Sequence, residues 1–581
     1  MRNFKAIPYG IADFQKIQQN NLYYVDKTRF IPEIEKSGDF LFLIRPRRFG
    51  KSLFLSILEG YYDISCEKEF DTLFQDTWIH EHPTENKNKY LILSFNFSVV
   101  NPDIKELAES FEDHVKNQFF GFEYKYKNLL DESYFSTMKN IEKSHSKLNF
   151  LLKYATIKGL KVYILIDEYD NFTNTILSAS GKKSYHDITH GEGFLRYFFN
   201  VLKGGTTGKG AGLTNLFITG VSPVTMDDVT SGFNIGKNIT TDFRFSEMLG
   251  LTETETLEML SYYKNIGLLK QEPEKLYPIM TEWYNNYRFS EQNEVKVFNS
   301  DMVLYFVDHC IQLGSPPKDL IDYNVKTDYK KLRHLVVLDK QLNGNFSKLK
   351  EINDIGVVSS DINIGFPAHK LVDSENFISL LYYLGLLTID HIQEGTPVFK
   401  IPNLTIKKLF YEYLREGFVD GNVFRMNFWD FSKKVQKMAY HGEWENVFDY
   451  IAEEIKKQTT IRDYLYGEAA IRGFLLAYIN MVDFFITRCE FEMNKGFADV
   501  FFQPFFLKYP DMRYSYLMEL KYIKRGEFNE TVLKEKIDEA SNQLEIYAKD
   551  EFIAKSIGNT LFQKFIVVFN GWEMVYRRAI S

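Results

Sequence analysis

Three short stretches of the chain carry residue types suited to phosphate chemistry. Arg45-Pro-Arg-Arg-Phe-Gly-Lys-Ser52 fits GxxxxGK[ST] at every required position except the first, where Arg45 stands in place of glycine. In such a loop Arg47, Arg48, Phe49 and Gly50 bring backbone N–H groups to a helix N-terminus. Lys51 then reaches the β and γ oxygens of a triphosphate, and Ser52 ligates Mg²⁺. A pattern this short also occurs as a basic surface turn, so its weight depends on its surroundings. The second stretch, Val162-Tyr-Ile-Leu-Ile166, reads as a buried strand ending in Asp167-Glu168. Asp167 at a strand end beside a phosphate loop would hold Mg²⁺ through water, and Glu168 would activate the attacking water. Strands often end in acidic residues, but the two motifs in this order support each other. Leu216-Phe-Ile-Thr219-Gly-Val-Ser222 resembles a neighbouring strand, in which Thr219 or Ser222 could sense the γ-phosphate or simply cap the strand.

The third stretch lies near the C-terminal end. Asp499 is followed by Glu519-Leu-Lys521, and positions 519 and 521 project from one face of a strand. Asp499 and Glu519 would hold one or two Mg²⁺ ions while Lys521 orients or deprotonates water, the arrangement of metal-dependent phosphodiester cleavage. ExK is frequent on solvated strand faces, so this signal too needs context. Glu492 could add a ligand or be an exposed strand charge. Arginines 45, 47 and 48 could pair with phosphate or with an acidic segment, or be solvated turn charges. Arg244 could be an arginine finger, with a plain salt bridge the stronger reading. His186 and His190 are four apart, but Gly191 beside them favours a loop, and no zinc site is expected there.

These residues must be positioned by strands and helices. Phe40 to Ile44 is a short apolar run entering the Gly50 turn, and Ser52 to Tyr61 has helical character, which gives strand, loop and helix. Tyr90 to Phe97, Val162 to Ile166 and Leu216 to Thr219 are further strand candidates. Helical stretches such as Asp103 to Phe119 and Gly193 to Lys203 separate them, predicting a parallel sheet covered on both faces. After about Leu251 helical patterns dominate. Ser374 to Leu384, Leu386 to Asp390, a turn at Gly395 and Val398 to Ile401 predict a helix and β-hairpin of winged-helix shape. The region from Asn403 to Thr459 is again helical. Strands are expected at Cys489 to Met493, Ala498 to Gln503, Ser515 to Tyr522 and Phe565 to Phe569, with a helix over Glu535 to Tyr547.

A chain of 581 residues exceeds one hydrophobic core and predicts about three or four packing units. Hydrophobic residues at 45% and charged residues at 25% are those of a globular protein and exclude collagen-like, disordered and coiled-coil classes. The aromatic share, Phe 52 and Tyr 37, is read mainly as core. A net charge of -8 argues against global capture of nucleic acid while leaving room for a local basic groove. The three scattered cysteines, Cys66, Cys310 and Cys489, support neither a disulfide framework nor a metal site. With no signal-peptide pattern at residue 1 and Arg472 and Asp483 interrupting the apolar stretch near 470–486, no membrane span and a cytoplasmic location are expected.

The series Ile7-Pro-Tyr-Gly-Ile-Ala-Asp-Phe14, Tyr23-Tyr-Val-Asp-Lys-Thr28, Arg45 to Ser52, Ile166-Asp-Glu-Tyr-Asp170 and Thr219-Gly-Val-Ser-Pro223 through Ser231-Gly-Phe-Asn234 resembles the AAA-ATPase-like family that carries a C-terminal PD-(D/E)XK nuclease-like domain. The resemblance covers nearly the whole chain, and Arg45 at the first loop position is itself a habit of the family. It implies an α/β protein with a RecA-like P-loop ATPase core over 1–250, a helical lid with a winged-helix-like module over 251–402, and a helical lead-in to a restriction-endonuclease-like α/β domain over 403–581. It further implies Glu468 as an accessory acid on the helix before the nuclease strands and Gln543 as a retained polar residue on the helix after them. ATP and Mg²⁺ are the implied cofactors and nucleic acid, DNA ahead of RNA, the implied partner, with a homo-oligomer or a partner protein also open. The competing reading is a nucleotide-switched sensor or scaffold whose last domain binds without cutting.

Overall fold

The computed structural model describes residues 4–171, 194–206, 211–224, 236–325, 337–338, 341–342, 344–367, 370–371, 373–493 and 496–580. His186, His190 and the segment Ser231 to Asn234 lie outside these residues, as does the side chain of Glu492. The chain divides into two compact units, one formed by residues 1–332 and 359–404 and the other by 333–358 and 405–581.

The first unit is built on a parallel sheet. Its strands are β1 (Phe40–Ile44), β2 (Leu91–Asn96), β3 (Val162–Asp167), β4 (Leu213–Gly220) and β5 (Lys237–Asn238), in the order β2-β3-β4-β1-β5. Every described pair in it is parallel. The apolar runs FLFLI and VYILID are almost wholly buried, as expected of strands covered on both faces. The order places β4 between β1 and β3, so the ends of three strands converge on one edge. The loop after β1 passes into helix α1 (Lys51–Tyr62) at that edge. Gly50 has φ +96, a left-handed conformation that glycine alone adopts cheaply, and this lets the chain turn from strand to helix.

Past residue 251 this unit is helical, with helices Glu253–Asn265, Pro273–Tyr284 and Ser300–Leu313. The helix Glu253–Asn265 starts with a capping box between Thr252 and Glu255. Helix α2 (Ser374–Tyr383) is followed by the antiparallel hairpin of β6 (Thr388–Gln393) and β7 (Thr396–Lys400). Its two-residue turn has φ +52 at Glu394 and φ +84 at Gly395, the left-handed pair that matches strand twist in a tight hairpin. Helix and hairpin thus stand where the sequence places them.

The second unit carries a mixed five-stranded sheet: β8 (Phe485–Met493), β9 (Gly496–Pro504), β10 (Tyr514–Ile523), β11 (Leu561–Asn570) and β12 (Glu573–Ile580), in chain order. The first three strands pair antiparallel, β10 and β11 pair parallel, and β12 returns antiparallel. Helix α3 (Glu468–Ile479) precedes the sheet, and helix α4 (Glu530–Tyr547) makes the crossover from β10 to β11 that a parallel pair requires. Ala540, Leu544 and Tyr547 of α4 pack on Leu517, Ile523, Ile566 and Val568. Phe485 and Ile486 extend the first strand beyond the expected start at Cys489, and β12, which has no counterpart among the expected strands, is an edge strand of mostly half-buried residues without an apolar run.

Candidate functional sites

At the strand edge of the first unit, Asp167 is the hub. Its Oδ2 accepts a hydrogen bond from Ser52 Oγ at 2.5 Å, and its Oδ1 accepts from Thr219 Oγ1 at 2.7 Å and from the Glu168 N–H at 3.0 Å. The hydroxyl and carboxylate that could share a Mg²⁺ ion are therefore already adjacent, which fits the hard, oxygen-liganded chemistry of that ion. Lys51 is buried, and its Nζ donates to the carbonyls of Arg45 and Pro46, both at 3.0 Å. Burial lowers its pKa, and Asp167, Glu168 and Asp170 oppose that shift. Glu168 has φ +49, an uncommon conformation for a residue with a Cβ, and such strain gathers at functional positions. Burial raises its pKa against the pull of Arg47 and Lys51, the direction expected of a general base.

The remaining loop residues have distinct surroundings. Arg47 Nη2 donates to Asn171 Oδ1 at 3.2 Å, Arg48 pairs with Asp301 at 3.2 Å, and the buried Phe49 ring meets Tyr287 and Phe289 edge-on. Arg45 turns away from the loop into the interior. Its guanidinium donates to the carbonyls of Ile44, Thr240 and Phe245 and lies 4.3 Å from the Phe289 ring centre. Burial holds its pKa down at about 10. An arginine at the first loop position thus ties β1 to the 240–245 segment. Arg244 forms a salt bridge with Asp242, the plainer of its two sequence readings.

Two features of this site are not announced by the sequence. Asp170 is buried and accepts from the N–H groups of Val221 and Ser222, the latter at 2.6 Å, so it fixes the tip of β4. The Tyr169 hydroxyl donates to the Ser222 carbonyl beside it. Gly220 makes this packing possible, because a Cβ there would stand 2.3 Å from Tyr169 Cε1 and 2.6 Å from Asp170 Oδ1. Gly220→Ala is expected to destabilise the protein by about 1–3 kcal/mol and to lower the unfolding temperature in a thermal melt. The second feature is a cavity of about 380 Å³ running from Lys51, Ser52 and Glu168 to an apolar wall that includes Ile11, Ala12, Ile17, Val25, Met248 and Met259. Ile11, Ala12 and Val25 come from the segments Ile7 to Phe14 and Tyr23 to Thr28, whose place in the family resemblance was the available signal.

In the second unit Asp499 on β9 and Glu519 and Lys521 on β10 converge, all three buried. Asp499 Oδ2 accepts from the Leu520 N–H at 2.9 Å, and its Oδ1 pairs with Arg472 of α3 at 2.9 Å. Lys521 Nζ donates to Glu519 Oε1 at 3.0 Å and lies 3.4 Å from Glu539 on α4. Glu468 opens α3, and its pKa is raised by burial and by Asp499. Gln543 lies on α4, where its buried Oε1 has no hydrogen-bond partner, and its side chain bonds to Tyr547. In the sequence Arg472 stands out only as a charge interrupting an apolar stretch, and Glu539 is one charge among many on its helix.

Glu519 Oε2 is likewise buried without a hydrogen-bond partner. Burial first, then the neighbouring Asp499, pushes the Glu519 carboxyl up to about 8, against the pull of Lys521. An orphaned carboxylate oxygen beside a second carboxylate is a donor set that fits a divalent cation. Among the described residues no three His, Cys, Asp or Glu form a complete ligand cluster; Mg²⁺ commonly takes only one or two carboxylates and completes its shell with water and phosphate oxygens. The titration has a consequence for stability. The folded carboxyl therefore keeps its proton above the range in which an unfolded glutamate, near 4.3, has lost it. Between the two pKa values the folded state holds more protons, so its stability falls as pH rises through the window. Urea unfolding in EDTA at about pH 5.5 and about pH 8 should show this loss, and Glu519→Gln should reduce it.

A parallel sheet with a phosphate loop after β1 and an acidic end on β3 defines a P-loop NTPase fold, and the second unit is a mixed α/β sheet of nuclease-like form. Comparison with known proteins agrees. Residues 8–230 match the family described as predicted AAA-ATPase, and residues 466–579 match the PD-(D/E)XK nuclease superfamily. The two matches give the chain an AAA-ATPase-like domain followed by a PD-(D/E)XK nuclease-like domain. It is 27% identical over 305 residues to an uncharacterized protein in the vnfD 5′ region of Azotobacter chroococcum mcd 1, a match covering 52% of each chain. It thus spans about half the length of the curated relative it matches. The Aeropyrum pernix ORC2 protein (ADPNP–ADP complexes) aligns with a TM-score of 0.28 and 10% identity, covering 72% of this chain and 97% of that one. Among the described residues no helix is long and apolar enough to cross a membrane.

Proposed function

We propose that the protein is an ATP-regulated, metal-dependent nuclease, in which the first unit binds and hydrolyses ATP and the second cleaves nucleic acid, DNA ahead of RNA. The observation that carries this reading is that one chain holds both constellations filled: Lys51, Ser52, Asp167 and Glu168 at the edge of one sheet, and Asp499, Glu519 and Lys521 on the strands of another. The cavity beside the loop supports the ATP assignment, since its polar end suits the triphosphate and its apolar wall a base.

In this reading the N–H groups of Arg47 to Gly50 and the ammonium of Lys51 hold the phosphates, and Glu168 takes the proton of the attacking water. Thr219, through Asp167, reports on the γ-phosphate position. Ser52 and Asp167 would hold Mg²⁺ at the nucleotide, and Asp499 and Glu519 would hold Mg²⁺ at the phosphodiester, where it supplies Lewis-acid stabilisation of developing charge. Lys521 orients or deprotonates water there, Glu468 contributes a further acid, and Gln543 contacts substrate or water from α4. The helix and hairpin of α2, β6 and β7 would serve as a winged-helix contact for nucleic acid.

The test is cleavage of labelled single- and double-stranded DNA and RNA by the full chain with Mg²⁺ or Mn²⁺, with and without ATP, beside Asp499→Ala. Cutting that disappears in the variant supports the reading. ATP hydrolysis without cutting under any condition would leave a nucleotide-switched scaffold in its place. Glu168→Gln separates binding from hydrolysis: turnover should fall by about 10²–10⁴-fold while a fluorescent ATP analogue still binds in an equilibrium titration.

A further inference from the structure

Arg472 lies four residues after Glu468 on α3, so both side chains leave the same face of the helix. Its guanidinium is buried, and Nη1 donates to Asp499 Oδ1 at 2.9 Å. With the Leu520 N–H on Oδ2, each oxygen of Asp499 is oriented by a donor. The other end of the guanidinium is held as well: Nη2 donates at 3.4 Å to the main-chain carbonyl of Asp354, in the last turn of the helix Gly344–Ile355. Carbonyls in a last turn have no partner within their helix and are open to such a donor. The two helices approach closely at this point because residue 473 is glycine; a Cβ there would stand 2.2 Å from Asp354 Oδ1 and 2.7 Å from Asn353 Nδ2.

We propose that Arg472 is a positioning residue of the nuclease-like site: it fixes the Asp499 carboxylate for a divalent cation and is itself fixed by the main chain of the 344–355 helix. The inference rests on the metal-dependent reading above. Two effects oppose each other. A cation beside Asp499 repels a metal ion, so on charge alone losing Arg472 tightens metal binding. On orientation, losing it removes the charged donor that, with the Leu520 N–H, holds a buried carboxylate. Orientation dominates, because partners that fix a ligand are worth about 10–100-fold in metal affinity. The chain leaves this unit just after the helix, passing at residues 358–359 into the first unit. A shift of that helix would therefore reach Asp499 through two hydrogen bonds.

The test is titration of the full chain with Mn²⁺ alone, followed by the electron paramagnetic resonance signal of the free ion. The site in question is identified as the one lost in Asp499→Ala. Arg472→Met should weaken that site by about 10–100-fold, and Arg472→Lys, which keeps the charge, should weaken it less. Gly473→Ala changes no charge and should weaken it too by pushing the 344–355 helix away. ATP turnover and circular dichroism establish that each variant is folded, and Arg472→Lys decides the matter if the others are not. Unchanged or tighter Mn²⁺ binding in Arg472→Met, or wild-type binding in Gly473→Ala, would overturn the proposal. A wild type with no Mn²⁺ site sensitive to Asp499→Ala would overturn the metal-dependent reading itself and this inference with it.

Discussion

Lys51→Ala is expected to reduce ATP turnover by about 10²–10³-fold, the cost of removing one preorganised charge from a site where negative charge develops. The structure sharpens this expectation. Lys51 is buried, and two of its three donors hold the carbonyls of Arg45 and Pro46, so the ammonium is kept at the mouth of the loop before any nucleotide arrives. The variant loses that charge and leaves two carbonyls unpaired, a loss of about 1–3 kcal/mol if they stay dry. Phosphate release and binding of a fluorescent ATP analogue read the first effect, and a thermal melt reads the second. Lys51→Arg is not expected to rescue, because a planar guanidinium cannot replace a compact ammonium between those two carbonyls. Turnover close to wild type in Lys51→Ala would remove the loop from the ATP site.

Lys521→Ala should reduce phosphodiester cleavage by about 10²–10³-fold while ATP turnover persists. Lys521 is held between Glu519 at 3.0 Å and Glu539 at 3.4 Å. Burial lowers its pKa, but Glu519, Asp499 and Glu468 together outweigh burial and raise it. The side chain is therefore a stable cation, which suits it better to orienting water and stabilising a charged phosphate than to taking a proton in the resting site. Alanine leaves Glu519 without its cation, and the carboxyl should then hold its proton still more tightly. Cleavage in Lys521→Ala should accordingly respond to raised pH more steeply than in wild type. Cleavage at the wild-type rate would show that the site lies elsewhere; loss of cleavage together with loss of ATP turnover would point to misfolding.

The two predictions draw on different amounts of sequence information. The loop from Arg45 to Ser52 and the acidic pair Asp167-Glu168 are continuous in the chain, so they stand out as candidates in the sequence, and the apolar runs beside them identified β1 and β3. Asp499 and the Glu519, Lys521 pair were also legible, because a spacing of two fixes a shared strand face whatever the rest of the fold does. The hairpin of β6 and β7 was legible from its apolar strands and Gly395. Arg45 was not: at the first loop position a guanidinium could face phosphate, solvent or core, and only the carbonyls of Thr240 and Phe245, far away in sequence, send it inward. Asp170, three residues from Asp167, looked like part of an acidic run until the N–H groups of Val221 and Ser222 gave it a separate task.

By itself the sequence determined the chemical inventory and the local elements that carry it, because helix and strand periodicity, glycine turns and short motifs are properties of neighbours along the chain. Tertiary structure alone decided how the strand order β2-β3-β4-β1-β5 sets Ser52 against Asp167, and how Arg472 on one helix comes to hold Asp499 on a strand. The physical reason is that a buried charge must find its partner wherever packing brings one within about 3 Å, and that partner is set by the fold and not by distance along the chain.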